Sequence, residues 1–231
     1  MDEEKAYETA VVIPLYNEEK VIGEVLKELR EMYPSYAIIV VDDDSKDTSM
    51  QKACIEGVYL LHHLINLGQG AALQTGIEYA RELGCKYAVT FDSDGQHNPK
   101  DIKPFIEELK KGEYDIILGS RFLGSTENMP TSKKYLLKLS RFFTWASSGI
   151  LLTDSHNGFR AINIEKFPNF EITQNRMSHA SEIISIISTL NMRYKEMPCN
   201  IRYTPYTLKK GQSMWNSINI VLDFFIGNLM K

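Results

Sequence analysis

"VTFDSDGQHNPKD", Val89 to Asp101, runs from an apolar segment straight into two aspartates one residue apart, then Gln96 and His97. Asp, Ser, Gly and Asn are turn formers, so a turn accounts for the stretch by itself. The other reading is that Asp92 and Asp94 close a buried strand and are held together for a cation. Alternate side chains of an extended chain share one side, and hard carboxylate oxygens suit Mg2+ or Mn2+. The neighbouring segments decide between the two.

Working outward, apolar runs and helical patterns alternate. "TAVVIPL" (Thr9–Leu15) reads as a strand ended by Pro14, with Asn17 as N-cap of the helix that follows and Glu18 and Glu19 in its first turn. "YAIIVVDD" is a second strand, and Asp47 or Ser49 opens a helix through about Glu56. "GVYLLHH" is a third strand. "GQGAALQTGIEYARELG" is a helix entered through a glycine-rich turn and closed by Gly84. "KYAVTFD" and "YDIILGS" are further strands, separated by a helix over Pro99–Lys111. This alternation through Ser120 predicts an α/β fold with a mostly parallel sheet covered on both faces. Thr131–Leu152 then reads as one or two helices, "FRAINI" as a strand and Ser178–Met192 as an amphipathic helix. "YKEMPCNIRY" reads as extended, and Ser213–Met230 as a final helix.

Ligands bind beyond the carboxyl ends of the strands in such sheets. Four of those ends here are polar: "PLYNEE", "VDDDSKD", "INLGQGAA" and "DSDGQH". Crowded carboxylates raise one another's pKa, so backbone N–H groups, basic side chains or a divalent metal must offset them. The "GQG" turn also brings N–H groups to a helix start, which suits a nucleotide phosphate. Its spacing matches neither the Walker nor the dinucleotide fingerprint.

With 231 residues, 43% hydrophobic and 24% charged, the chain has the composition of a soluble globular protein. A net charge of −4 gives no support to nucleic-acid binding. Cys54, Cys85 and Cys199 are too few and too scattered for a disulfide framework or a zinc site, which points to a reducing compartment. The acidic start "MDEEKAYETA" is not a signal peptide, and no apolar run reaches the roughly 20 residues of a membrane span. A cytoplasmic protein is expected. His62, His63, His156 and His179 show no metal-ligand spacing, and His97 is expected to pack beside the aspartates.

Taken in order, "VVIPLYNEE", "VVDDDSKDTS", "NLGQGAAL" and "DSDGQHNP" resemble the ordered motifs of family-2 glycosyltransferases, which have the GT-A fold. "GSRF", "DSHNGFRA", "SEIISI", "EMPCNIRY" and "KGQS" narrow the likeness to polyprenyl-phosphate sugar synthases related to dolichol-phosphate mannosyltransferase. The resemblance runs from about Val11 to Ser213. It implies a nucleotide-sugar pocket lined by Pro14, Tyr16, Asn17, Glu18, Asp43, Gly70, Asp92 and Ser93. Gly68 and Ala71 would join Gly70 in letting the chain approach the nucleotide. Asp92, Asp94 and Gln96 would hold Mg2+ or Mn2+ on the diphosphate. Arg121 and Arg202 would bind the acceptor phosphate, with Asp154 as base or acceptor-side carboxylate. Arg160, Glu182 and Ser213 would organise the acceptor side. "DDDS" departs from the family pattern, where Gly or Asn is commoner at the place of Asp44.

The implied reaction moves a sugar from a UDP-sugar or GDP-mannose to a polyprenyl phosphate, with inversion. Residues 1–212 would form the catalytic domain and 213–231 an amphipathic C-terminal helix. Trp215, Phe224 and Phe225 with flanking Lys209, Lys210 and Lys231 suit a membrane interface or a partner, and packing on the domain itself is the third option. The expected setting is the cytoplasmic membrane face, with a small integral membrane protein or a second copy of the chain as further candidate partners. Two alternatives stay open: a transferase extending a polysaccharide or glycolipid, and a catalytically inactive nucleotide-sugar-binding subunit. A nucleotidyltransferase, which also uses paired carboxylates, has little support from the second-half motifs.

Overall fold

The computed structural model describes residues 7–127, 129, 149–175 and 179–203. Of the helix or helices expected over Thr131–Leu152, residues 131–148 lie outside the described residues and 149–152 are not helical; the helix expected over 213–230, with Ser213, also lies outside them.

Seven strands form the main sheet, in the order β3-β2-β1-β4-β7-β5-β8. They are β1 (Thr9–Leu15), β2 (Ala37–Asp42), β3 (Val58–His62), β4 (Tyr87–Thr90), β5 (Ile116–Ser120), β7 (Arg160–Asn163) and β8 (Tyr194–Pro198). All neighbouring pairs are parallel except those of β7, which runs antiparallel between β4 and β5. Every residue of β1 and β2 is buried, which explains their near-continuous apolar sequence. A short parallel pair, β6 (Thr126–Glu127) with β9 (Ile201–Arg202), lies beside the sheet.

Helices cover both faces. α1 (Ile22–Met32), α2 (Ser49–Ala53) and α4 (Ile102–Lys110) pack on one, where Val11, Ile13, Val89, Ile117 and Ala161 point. α3 (Gln69–Glu82) and α5 (His179–Thr189) pack on the other, against Ala10, Val12, Ala88, Ile116 and Ile162. The alternation of side chains along each strand assigns the two sets. α1 buries Ile22, Val25, Leu26 and Leu29, the stripe a 3.6-residue period gives.

Three local expectations change. Asn17 is not an N-cap: it has φ 54°, and α1 begins five residues later. Its Oδ1 accepts the Lys46 N–H at 2.8 Å and its own N–H donates to Ser45 Oγ at 3.0 Å, so Asn17 fastens the β1 exit to the β2–α2 loop. Pro14 does not end β1, which continues through Leu15 paired with Asp42. The Val12 carbonyl accepts from Phe91 N–H and the Leu15 carbonyl from Asp43 N–H. Pro14 therefore turns its N–H-less side towards β4, which has already ended. Third, the chain does not stay extended after β4. Thr90 is the last strand residue, and a turn with Gly95 at φ 72° carries Asp92 to Asp94. The two carboxylates are brought near each other by that turn, not by strand alternation.

Candidate active site

At the carboxyl rim of β4, Asp92 is held from three sides. Gln69, the first residue of α3, donates from Nε2 to Asp92 Oδ1 at 3.1 Å. The Asp92 N–H donates to His97 Nδ1 at 3.2 Å, so the ring proton sits on Nε2, which faces Asp92 Oδ2 at 3.4 Å. A Cβ added at Gly158 would lie 2.8 Å from both Asp92 carboxylate oxygens. The glycine of "GFR" thus makes room for Asp92 itself. Asp94 accepts from Gln96 through the backbone N–H at 2.9 Å and through Nε2 at 2.6 Å.

The electrostatics of this turn are strained. Burial, then the charge of Asp92, pushes the Asp94 carboxyl up to about 6. Burial also raises Asp92, against the opposing charges of Arg160 and Arg121. His97 packs edge-on between Phe91 and Phe159, and burial pushes it down to about 4, so it is neutral and a hydrogen-bonding support. Among the described residues no three or more His, Cys, Asp or Glu side chains cluster as a metal site. Two mutually repelling carboxylates beside an amide oxygen remain a donor set for a hard divalent cation, which completes its shell with water and substrate phosphates.

The nucleotide-side residues gather at the ends of β1, β2 and β3. Glu18 is buried, its N–H donating to Ser49 Oγ at 2.7 Å, while Tyr16 is exposed beside it. Asp43 holds the glycine-rich turn. Its carboxylate accepts the N–H groups of Leu67 (2.9 Å) and Gly68 (2.7 Å) and His63 Nδ1 (2.8 Å). The other ring nitrogen of His63, Nε2, lies 3.0 Å from Thr75 Oγ1. Gly70 has a structural reason for lacking a side chain: its Cβ would stand 1.9 Å from the Gln174 carbonyl oxygen. That close approach is of the chain to itself. Gly68, at φ 100°, provides the turn into α3. Ser93 is buried within the aspartate turn.

The acceptor-side residues divide. Arg121 and Asp154 form a buried pair, Nε to Oδ2 at 2.6 Å, with 9% and 1% of their side chains exposed. Arg121 also donates to Tyr203 Oη at 2.9 Å and to the His156 carbonyl at 3.2 Å. Burial alone would lower its pKa; the Asp154 charge more than offsets this and raises it. Arg160, on β7, is buried between the charges of Asp92 and Asp154; burial lowers it to about 10, and its Nη1 has no hydrogen-bond partner among the described residues. Arg202 is not brought into this cluster. Its backbone N–H reaches the Gln96 carbonyl, but its guanidinium pairs with Glu127 at the surface, 3.1 Å away and 70% exposed. Glu182 is also elsewhere. Its carboxylate accepts the N–H groups of Thr173 and Gln174, the segment that packs against Gly70 of the glycine-rich turn. Gln69, His63 and Gly158 are site-building residues that motif reading left unassigned.

A solved structure of glucosyl-3-phosphoglycerate synthase from Mycobacterium tuberculosis, in complex with Mn2+ and UDP-glucose, shares this architecture. It matches with a TM-score of 0.70 over 94% of this chain and 76% of that one, at 16% identity, which is a likeness of fold. The mostly parallel sheet with flanking helices and an acidic carboxyl rim is that of a GT-A enzyme. The chain belongs to the family described as "Glycosyl transferase family 2", whose model matches residues 10–170, and it is a glycosyltransferase. An uncharacterized protein of Methanocaldococcus jannaschii is 36% identical over 95% of this chain and 91% of its own length. The UDP-N-acetylglucosamine–dolichyl-phosphate N-acetylglucosaminyltransferase of Methanococcus voltae is 33% identical over 88% of this chain and 89% of its own. A polyprenol monophosphomannose synthase of Mycolicibacterium smegmatis is 27% identical over 71% and 65%.

Proposed function

We propose that the protein transfers a sugar from a nucleotide diphosphate sugar, a UDP-sugar before GDP-mannose, to a polyprenyl phosphate, inverting the anomeric carbon. The observation that carries this reading is the paired, mutually repelling Asp92 and Asp94 next to the buried Arg121–Asp154 pair. The first suits a diphosphate with its cation and the second an anionic acceptor. The relatives named for dolichyl- and polyprenol-phosphate sugar transfer support the acceptor class.

Asp92 and Asp94, with the Gln96 amide oxygen, would hold Mg2+ or Mn2+. When bound, the ion supplies positive charge where the departing diphosphate gains negative charge. Gln69, His97 and Gly158 fix the Asp92 rotamer for that task. Asp43 holds the turn whose N–H groups begin α3, beside the nucleotide. The acceptor phosphate is its own nucleophile, largely ionised near neutral pH because its second pKa is about 6. Asp154, ion-paired with Arg121, supports a reading without a side-chain base. Arginine carries more N–H groups than the three partners of Arg121 use, and the remaining donors are assigned to the acceptor phosphate.

No described helix is long and apolar enough to cross a membrane. We assign contact with the cytoplasmic membrane face to the amphipathic 213–231 segment, with 1–212 as the catalytic domain. The decisive experiment is a donor panel with polyprenyl phosphate and Mg2+ or Mn2+, followed by determination of the lipid product's anomeric configuration. A sugar-phosphate lipid of inverted configuration is expected. A retained configuration, or efficient transfer only to water-soluble acceptors, overturns the reading.

A further inference from the structure

Glu196 stands on β8 opposite Leu118 of β5, and the chemistry proposed above does not use it. Its carboxylate is spent on one short stretch of chain. Oε1 accepts from the Thr153 N–H (2.8 Å), the Thr153 hydroxyl (2.7 Å) and the Asp154 N–H (3.1 Å), and Oε2 accepts from the Thr153 N–H (2.8 Å). A carboxylate at neutral pH only accepts, so the direction of every following bond is fixed. The Thr153 hydroxyl donates to Glu196 and must accept from Ser120 Oγ, 2.6 Å away. Ser120 Oγ, having donated, accepts from the N–H groups of Phe122 and Leu123, both at 3.3 Å. One carboxylate thereby orients donors from Thr153 and Asp154 across to the residues flanking Arg121. Asp154 in turn holds Arg121 by its Nε and its backbone N–H.

We infer that Glu196 is a positioning residue for transfer, which sets the Arg121–Asp154 pair through this directed chain without touching either substrate. The inference rests on the glycosyl-transfer reading above, and names a residue it does not include. A Glu196→Gln substitution puts an NH2 against the Thr153 or Asp154 donors, so the chain breaks or reverses while side-chain volume is kept. Thr153→Val interrupts the same chain one link further on.

The test uses the purified full chain with the active donor of the panel, polyprenyl phosphate and Mn2+, together with UDP–Mn2+ as a binding probe. Amide exchange is followed by NMR. Glu196→Gln is expected to lower kcat about 10- to 100-fold, with donor KM and UDP–Mn2+ affinity within about twofold of the parent. The Thr153 and Asp154 amides should exchange at least about tenfold faster while those of β1 stay protected. Thr153→Val should lose activity in the same pattern but less, about 3- to 10-fold. Unchanged kcat in both variants overturns the inference. So does accelerated exchange throughout β1, which would make Glu196 a general stability residue. If the parent transfers to no acceptor, the functional reading falls, and exchange confined to Thr153 and Asp154 still decides whether Glu196 sets this stretch.

Discussion

Two aspartate sites at opposite ends of the sheet show how differently one side chain is used. At the amino end of β5, Asp115 is 3% exposed and accepts from Lys166 Nζ and from the Arg193 N–H, Nε and Nη2 at 2.5 to 3.1 Å. Burial would raise its pKa, but the hydrogen bonds of Arg193 and Lys166 win and hold the carboxyl well below its usual range. At the carboxyl end of β4, Asp94 is raised, and among the described residues it accepts from Gln96, two positions on. A carboxylate met by several donors stabilises the fold. A pair that raises each other's pKa costs the fold stability, and such perturbed pairs cluster at functional sites.

The largest effect that would break this contrast is on activity. Asp94→Asn should reduce sugar transfer by about 10²- to 10³-fold in a radiolabelled-sugar assay, with an unchanged or raised melting temperature because a repulsion has been removed. A stable protein with full activity would show that the pair serves no cation. Gly158→Ala tests the support of the same pair: its Cβ would meet the Asp92 oxygens at 2.8 Å. Transfer should fall about 10- to 100-fold with little loss of affinity for UDP alone. Asp115→Asn is the converse. It should cost about 2 kcal/mol in urea unfolding, since charge-assisted bonds to a buried acceptor are lost while both cations can turn to water. Activity per folded molecule should stay the same.

The two sites also predict opposite pH trends. Asp115 has a folded pKa below its unfolded value of about 3.9. Its contribution is present above about pH 4 and is lost as pH falls towards the depressed folded value, because there the unfolded chain binds the extra proton. Asp94 has its folded pKa raised to about 6. Between about pH 4 and 6 the folded state of metal-free protein binds the extra proton, so stability falls as pH rises through that window. Chemical denaturation of chelated protein should show each limb flattened by the matching Asp→Asn variant. The smallest effect concerns Arg202. The exposed pair with Glu127 contributes little, so Arg202→Ala should change stability by less than about 0.5 kcal/mol. A raised KM for the lipid acceptor, with that stability kept, would return Arg202 to the acceptor side.

The alternation of buried strands and amphipathic helices was legible because β1 and β2 are buried on both faces and α1 keeps a strict apolar stripe. The direction of β7 was not: an apolar run such as "FRAINI" reads alike whichever way the strand runs, and only its partners Thr90 and Leu118 reveal it. Asn17 had the composition of a helix start, but Ser45 and Lys46, 28 and 29 residues on, claimed its polar groups. The aspartate turn stood out because two acids after an apolar run are locally anomalous. Gln69, Gly158 and Glu196 carry no such local mark, since each acquires its role from a residue 23 to 66 positions away. Arg121 and Asp154 were recognisable as separate residues, and their pairing, across 33 positions of chain, appears only in the fold.

That pairing has a consequence for how the chain can vary. Ser120 with Thr153, and Arg121 with Asp154, pin both ends of the excursion from Phe122 to Leu152 at one point. With its ends fixed, lengthening such an excursion costs only a logarithmic increment, roughly 0.6 kcal/mol per doubling. The two pairings therefore hold Arg121 against Asp154 at a cost that depends little on how many residues lie between them.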